Sequence, residues 1–493
     1  MKTKISISLQ ILIGIFFLIP IIFLSYSFFN IRALDFNGFK KYFFNSFFQS
    51  SISAITVIIF GFIMSLGLFR FNHKQAAYLI KFCSTPVLIP SLISVMVALN
   101  MISPFPFGQI GVILVFNLVY LGFAACSFYL AIQQNLSYQI KTAEIYSIQK
   151  LDLLLKIILP NLKQQILLIG LIVFLGSFSS FTIPFMLGGK TGGNLEVFIY
   201  EKIYIQQDWS TVVFTAIIQI IFLYSISYFI KSQNTDESKE NFSSKKLASN
   251  LGAAMIILYL GLYYGTFIFH LLNVKTLSKM TTFINADFLL ILLNTVIFYL
   301  VVVLGFFILF YIYSYLIYKR QNVNWLTTFT SPSIGVTGFF VFLYFASTQN
   351  IFTEISKVTY IFLISYFVSL VFNFFTGGLF NLKQSMAVAR IYHLNFSVYF
   401  FKIIVAVLRK NIINILSFLF LICFFEFSVF KISGSPIKTT GVVIYEFLSG
   451  YRIDYAYALS ALIIVFWFFI FSLTFSLTEK FYVLFKKYKL PRR

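Results

Sequence analysis

Apolar residues in this chain fall in runs of about 20, separated by short polar intervals. That is the length a helix needs to cross roughly 30 Å of hydrocarbon. The runs lie at approximately 8–28, 49–69, 84–103, 109–132, 164–187 and 211–230, then at 251–272, 288–316, 332–348, 358–380, 411–432 and 456–478. They predict an all-α, polytopic membrane protein with about twelve transmembrane helices. A membrane β-barrel would show short alternating segments with polar lumen positions, and the chain has none of that texture.

The most polar stretch is KSQNTDESKENFSSKKLASN, Lys231 to Asn250. It has the composition of a solvated linker. It divides the chain into a first transmembrane unit, 1–230, a cytoplasmic linker, 231–250, and a second transmembrane unit, 251–493.

Composition agrees with the pattern: 59% of the 493 residues are hydrophobic, 11% are charged, and the mean hydropathy is +0.91. In a soluble protein a net charge of +22 would point to nucleic acid. Here basic residues flank the spans instead, so no nucleic-acid partner is expected and membrane lipids are. With the N-terminus inside, 26 of the 37 Lys and Arg fall in segments that the span order makes cytoplasmic. The positive-inside rule therefore predicts that both termini, the linker and the loops near 133–163 and 381–410 are cytoplasmic. The first run is too long for a signal peptide and no small-x-small cleavage site comes after it, so it reads as a retained span. Cys83, Cys126 and Cys423 lie inside apolar runs and read as small core residues.

The two halves echo each other at an offset near 246 residues. Pro86 pairs with Pro332, Ala143 with Ala389, Lys156 with Lys402, Gly188 with Gly434 and Asp208 with Asp454. Ile199-Tyr200-Glu201 is echoed by Ile444-Tyr445-Glu446, and Asn45-Ser46 by Asn294-Thr295. Six spans precede the linker, so the halves are expected to be parallel six-helix repeats about an axis along the membrane normal.

The polar segment between the fourth and fifth runs carries the functional signal. In the first half it reads KTAEIYSIQKLDLLLKIILPNLK, Lys141 to Lys163. Ala143 and Ser147 are i,i+4 neighbours, and Leu151, Leu154, Leu155 and Ile158 continue an apolar stripe. The pattern predicts a short cytoplasmic helix, a turn, and a second short helix ending at Pro160. The second half supplies MAVARIYHLNFSVYFFKIIVAVLR, Met386 to Arg409.

These loops resemble the hallmark loop of permeases in binding-protein-dependent ABC importers: Glu-Ala-Ala, three residues, Gly, then about a dozen residues to Ile/Val-x-Leu-Pro. Ala143 stands at the second alanine, Ser147 at the glycine, and Ile157-Ile158-Leu159-Pro160 at the ending. In the second loop Ala389, His393 and Ala406 occupy the alanine, glycine and proline positions. GSFSSFTIPFMLGG, Gly176 to Gly189, resembles the family's next span, and Asp208-Trp209 recurs there too. The chain departs from the family pattern at Lys141 and Ala387, where the glutamate belongs, although Glu144 lies one turn away. A left-handed residue at the glycine position costs more with Ser than with Gly, and His tolerates that region better than most.

The resemblance implies a type I ABC importer permease fold in a bacterial inner membrane. It also implies two cytoplasmic ATPase subunits as partners, with ATP bound there and not on this chain, and an external substrate-binding protein. The fused halves most resemble ferric-iron and thiamine importers. Ala143, Glu144, Ser147, Leu151, Lys156, Pro160, Ala389, Arg390, His393, Lys402 and Ala406 become the coupling-loop residues, with Ala143 and Ala389 facing partner grooves. A two-lobed, twelve-helix secondary transporter shares the six-plus-six plan and is the competing expectation.

No catalytic chemistry is expected in the chain. Gly189-Lys190-Thr191 resembles the end of a phosphate-binding loop, but Pro184 stands where that motif needs its first glycine. His73 and His270 lack metal-ligand spacing, and no metal or other cofactor is expected. Glu426 is the one carboxylate well inside a predicted span. It faces either the translocation path or, by snorkelling toward Lys431, the outer surface.

Overall fold

Hydrocarbon offers no partner for an N–H or C=O, so a membrane-crossing backbone pairs with itself, most simply as helix. The computed structural model describes residues 34–227, 247–281, 286–319, 354–363 and 382–469, and every regular element among them is helical. In chain order these are α1 (Phe36–Leu68), α2 (His73–Leu88), α3 (Ser91–Met101), α4 (Gln109–Ile145), α5 (Lys150–Phe178), α6 (Thr182–Leu187), α7 (Leu195–Tyr204), α8 (Trp209–Ser227) and α9 (Asn250–Leu271). They continue with α10 (Val274–Met280), α11 (Ala286–Tyr318), α12 (354–363), α13 (Lys383–Ile391), α14 (Phe396–Val407), α15 (Arg409–Phe425), α16 (Ser428–Ser433), α17 (Thr440–Ser449) and α18 (Ile453–Phe469).

Five of these, α1, α4, α5, α9 and α11, are long and apolar enough to cross a membrane, and up to seven spans result if each of two sharply bent pairs counts as one. The chain is thus an α-helical, polytopic membrane protein. The expected spans at 8–28 and 332–348, most of 358–380, and the linker up to residue 246 lie outside the described residues.

Breaks within the apolar runs are the main departure from the expected spans. The run at 84–103 is two helices, α2 and α3, bent by 99° at Ile89–Pro90. Proline here has no N–H to continue the ladder and forces the preceding residue out of helical backbone; Ile89 is extended, at φ −74° and ψ 139°. The run at 164–187 is also interrupted: α5 ends at Phe178 and only the six residues of α6 resume helix. In the second half α15 stops at Phe425, and α16 begins after Glu426 and Phe427.

The breaks after α5 and α15 are stitched by side chains. Asn194 donates from Nδ2 to the Ser180 carbonyl at 2.6 Å, and its Oδ1 accepts from Val197 N at 3.1 Å, capping α7. The glycine-rich turn after α6 is held from α1: Asn45 donates to the Thr191 and Gly193 carbonyls, Gln49 donates to the Gly192 carbonyl at 2.8 Å, and Ser46 Oγ accepts from Leu195 N at 2.8 Å. In the second half Thr295 Oγ1 on α11 accepts from Thr440 N at 3.0 Å, and Asn294 donates to the Lys438 carbonyl at 3.4 Å. The echoing Asn-Ser and Asn-Thr dipeptides therefore hold equivalent turns.

Two compact units result, Asn30–Asn273 and another containing the chain from Val274 onward. In the first, α1, α4 and α5 share a core of Ala54, Val57, Ala124, Phe128, Ile169 and Val173. The second is centred on α11, with Phe298, Phe306, Phe310, Phe362, Tyr399, Phe400 and Cys423 among its buried residues. The boundary is not at the linker. Helix α9, expected to open the second half, packs into the first unit, because Gly67 and Gly252 face each other and a Cβ on either would overlap the opposing backbone. Small residues permit such approach where apolar attraction between helices is absent. Three tyrosines then fasten α9: Tyr259 donates to the Leu118 carbonyl at 2.8 Å, Tyr264 to the Phe82 carbonyl at 2.9 Å, and Tyr263 shares a hydrogen bond with Ser94 at 3.0 Å.

One end of this unit is tied by charge. Lys202, 4% exposed, reaches Asp35 at 2.8 Å and Asp208 at 3.4 Å, joining α7 to the starts of α1 and α8. Asp35 also caps α1 through Gly38 N and donates its own N–H to Thr211 Oγ1. The hydrogen bond from Lys202 and that from Gly38 N hold the Asp35 carboxyl below its usual pKa. Burial opposes the Lys202 charge, but Asp35 and Asp208 outweigh it and raise its pKa.

Stability from Asp35 is present above the free carboxylate value near 4 and lost as pH falls through its lowered pKa; that from Lys202 is present below about 10.4 and lost as pH rises through its raised one. Melting of the solubilised protein should therefore be flat across neutral pH and fall at both extremes. Asp35→Asn should lower it by several degrees, and Asp35→Asn combined with Lys202→Met by less, because the double change leaves no buried cation short of a partner.

Candidate functional site

The two loops singled out by sequence have the same backbone. In the first, α4 ends at Ile145 and Ser147 adopts φ 54°; in the second, α13 ends at Ile391 and His393 adopts φ 49°. Tyr146 N donates to the Thr142 carbonyl, Ser147 N to Glu144 and Ile148 N to Ala143, at 3.1, 3.1 and 3.0 Å. Their counterparts are Tyr392 N to Val388, His393 N to Arg390 and Leu394 N to Ala389, again at 3.1, 3.1 and 3.0 Å. A left-handed residue reverses the chain here and lets the last carbonyls of the helix find donors, the geometry that usually selects glycine. Two further non-glycine residues with positive φ, Gln207 at 53° and Tyr451 at 57°, stand 244 positions apart.

Beyond the first turn, the expected short helix ending at Pro160 is replaced by a long one. Helix α5 begins at Lys150 and runs unbroken through Pro160 to Phe178. A wider, π-type stretch at Leu153–Ile158 ends two residues before the proline, with Leu159 N donating to the Leu154 carbonyl. Loosening the ladder there accommodates a residue that has no N–H and crowds the preceding turn. Proline is not its only cause, since α14 has the same feature at Phe400–Ile404 although Ala406 replaces the proline.

The anticipated coupling residues divide by exposure. Ala143 and Ala389 are each only 2% exposed, so they pack inside their own chain. Ala389 belongs to the core with Phe396 and Tyr399. Glu144 is half-buried. Arg390 donates from Nη1 to the Tyr318 carbonyl at 2.9 Å, capping the end of α11. Lys156 pairs with Asp152 at 2.9 Å in an exposed i,i+4 contact worth little to stability. Ser147, Leu151, Pro160, His393, Lys402 and Ala406 are exposed.

Glu426 is held within its own chain. It is 5% exposed, sits in the break after α15, and accepts from Val429 N at 3.0 Å. A second buried acid escaped sequence reasoning: Glu196, fully buried on α7, accepts from Gln219 Nε2 at 2.6 Å. It lies in a ten-residue helix outside the apolar runs, and only a search for acids near span ends would have found it.

Compared with protein-family models, with curated proteins and with solved structures, the chain matches none.

If the left-handed turns carry strain, Ser147→Gly should stabilise the protein by roughly 0.5–1 kcal/mol and Ser147→Val should destabilise it by more than about 1 kcal/mol. His393→Gly and His393→Val should act in the same directions. Denaturation in detergent measures both.

Proposed function

We propose that this chain is the two-lobed membrane permease of an ATP-driven, binding-protein-dependent importer. The observation that carries the reading is the pair of loops 246 residues apart, which share the same left-handed turn, the same hydrogen bonds and the same π-type stretch after it. A chain with one such loop would present a single contact; duplication suits a partner with two equivalent subunits. The equivalent clamps from Asn45-Ser46 and Asn294-Thr295 further support treating the halves as parallel repeats.

In this reading two cytoplasmic ATPase subunits grip the loops, and closure of the ATPase pair on ATP binding biases the two lobes between inward- and outward-open arrangements. An external binding protein delivers the cargo. Ferric iron is the first candidate and thiamine the second, on the strength of the fused halves alone. The protein belongs in a bacterial cytoplasmic membrane with both loops and both termini inside.

A secondary transporter is the competing reading, and buried Glu196 and Glu426 are what favour it. Both carboxylates, however, accept hydrogen bonds within the chain, Glu196 from Gln219 and Glu426 from Val429 N.

Reconstitution separates the two. The purified chain alone should hydrolyse no ATP, and ATP-dependent uptake should require added ATPase subunit and binding protein. Uptake driven by an ion gradient without either would overturn the importer reading. Cysteines at Gln149 and Leu394 should react only with reagents applied to the cytoplasmic side of intact cells.

A further inference from the structure

We infer that the Ile-Tyr pairs at the loop tips, Ile145-Tyr146 and Ile391-Tyr392, are the anchors that seat the ATPase subunits, and that the hallmark alanines are not. The inference rests on the importer reading. All four side chains stand in the open: Ile145 is 80% exposed, Tyr146 76%, Ile391 73% and Tyr392 74%. They occupy equivalent positions 246 residues apart, each directly before the left-handed residue.

Lipid does not account for this exposure in the first loop. Helix α4 has 37 residues and is therefore about 55 Å long, against roughly 30 Å of hydrocarbon. Its last 13 residues, QQNLSYQIKTAEI, are largely polar and add about 20 Å beyond the apolar run. Ile145 and Tyr146 thus project into water, flanked by Lys141, Glu144 and Lys150. A large aliphatic next to a tyrosine, held on a tip already fixed by three backbone hydrogen bonds, is the composition of a binding hot spot with little ordering left to do.

Charge narrows the occupant. Lys141, Lys150, Lys156 and Lys163 outnumber Glu144 and Asp152 in the first loop, and the second, from 382 to 410, has Lys383, Arg390, Lys402, Arg409 and Lys410 with no acid. The matching surface is an apolar pocket with an acidic rim, present twice. A dimer of soluble ATPase subunits, one pocket on each, meets that description. Tyr138 provides an internal control, since it is 80% exposed on α4 but has Gln384 as its counterpart and so belongs to no duplicated pair.

The test uses the full chain in detergent with the purified ATPase subunit. Tyr146→Ala combined with Tyr392→Ala should weaken binding at least tenfold and abolish ATP-dependent uptake, with melting unchanged because the side chains are exposed. Each single change should fall between, Tyr146→Phe with Tyr392→Phe should bind within about twofold of the unaltered chain, and Tyr138→Ala should be silent. A photoreactive phenylalanine at 146 or 392 should crosslink to the ATPase subunit. Retained binding in the double alanine variant, or adducts to lipid or to a second copy of this chain in place of the subunit, would overturn the anchor assignment while leaving the importer intact. Failure of the unaltered chain to bind any ATPase subunit would overturn both.

Discussion

The breaks after α5 and α15 are governed by the need to satisfy backbone hydrogen bonds where water is scarce. They free carbonyls and N–H groups in the interior, and named side chains take them up. Asn194 serves Ser180 and Val197, Gln49 serves Gly192, Glu426 serves Val429, and Thr295 serves Thr440. Polar residues in the apolar runs are thus mostly structural, and their positions record where the ladder has been interrupted. Asn45, Ser46 and Gln49 on α1 form one such record, a single polar face that fixes the turn from Thr191 to Leu195.

That economy explains how much could be read from sequence. Apolar runs gave the helices α1, α4, α9 and α11 because a span's length and hydropathy are properties of a window. The 99° bend at Ile89–Pro90 was hidden, since averaging over 84–103 dilutes one proline among apolar neighbours. The packing of α9 was equally hidden. A polar linker announces itself by composition, whereas the Gly67–Gly252 contact that places the unit boundary at Asn273 leaves almost no hydropathic trace. In the loops, the position of the turn was legible from Ser147 and His393, and both are left-handed. The direction in which Ala143 and Ala389 point was not, because motif spacing orders residues along the chain without saying which side of the turn faces inward.

The inward alanines change the meaning of the loop. A small residue can be required because a partner comes close, or because its own chain does. At 2% exposure the second reason operates here: the reversed chain folds back over the alanine, whose carbonyl receives the N–H of Ile148 or Leu394. The tip is thereby made rigid, and what it displays is decided by the two residues just before the reversal.

The placement of α9 also bears on how the protein is made. The first unit is not closed when the ribosome finishes the sixth apolar run; it waits until Leu271 has been synthesised, after the polar linker has already been made. Until then the surface around Gly67, Phe82 and Leu118 has no cover. The linker consequently behaves as a tether that returns a late helix to an early partner, and its useful length is bounded below by that return. Severing the chain at the linker would yield fragments that recognise each other through a borrowed helix, so the unbroken chain ensures delivery of that helix to its own molecule at high local concentration.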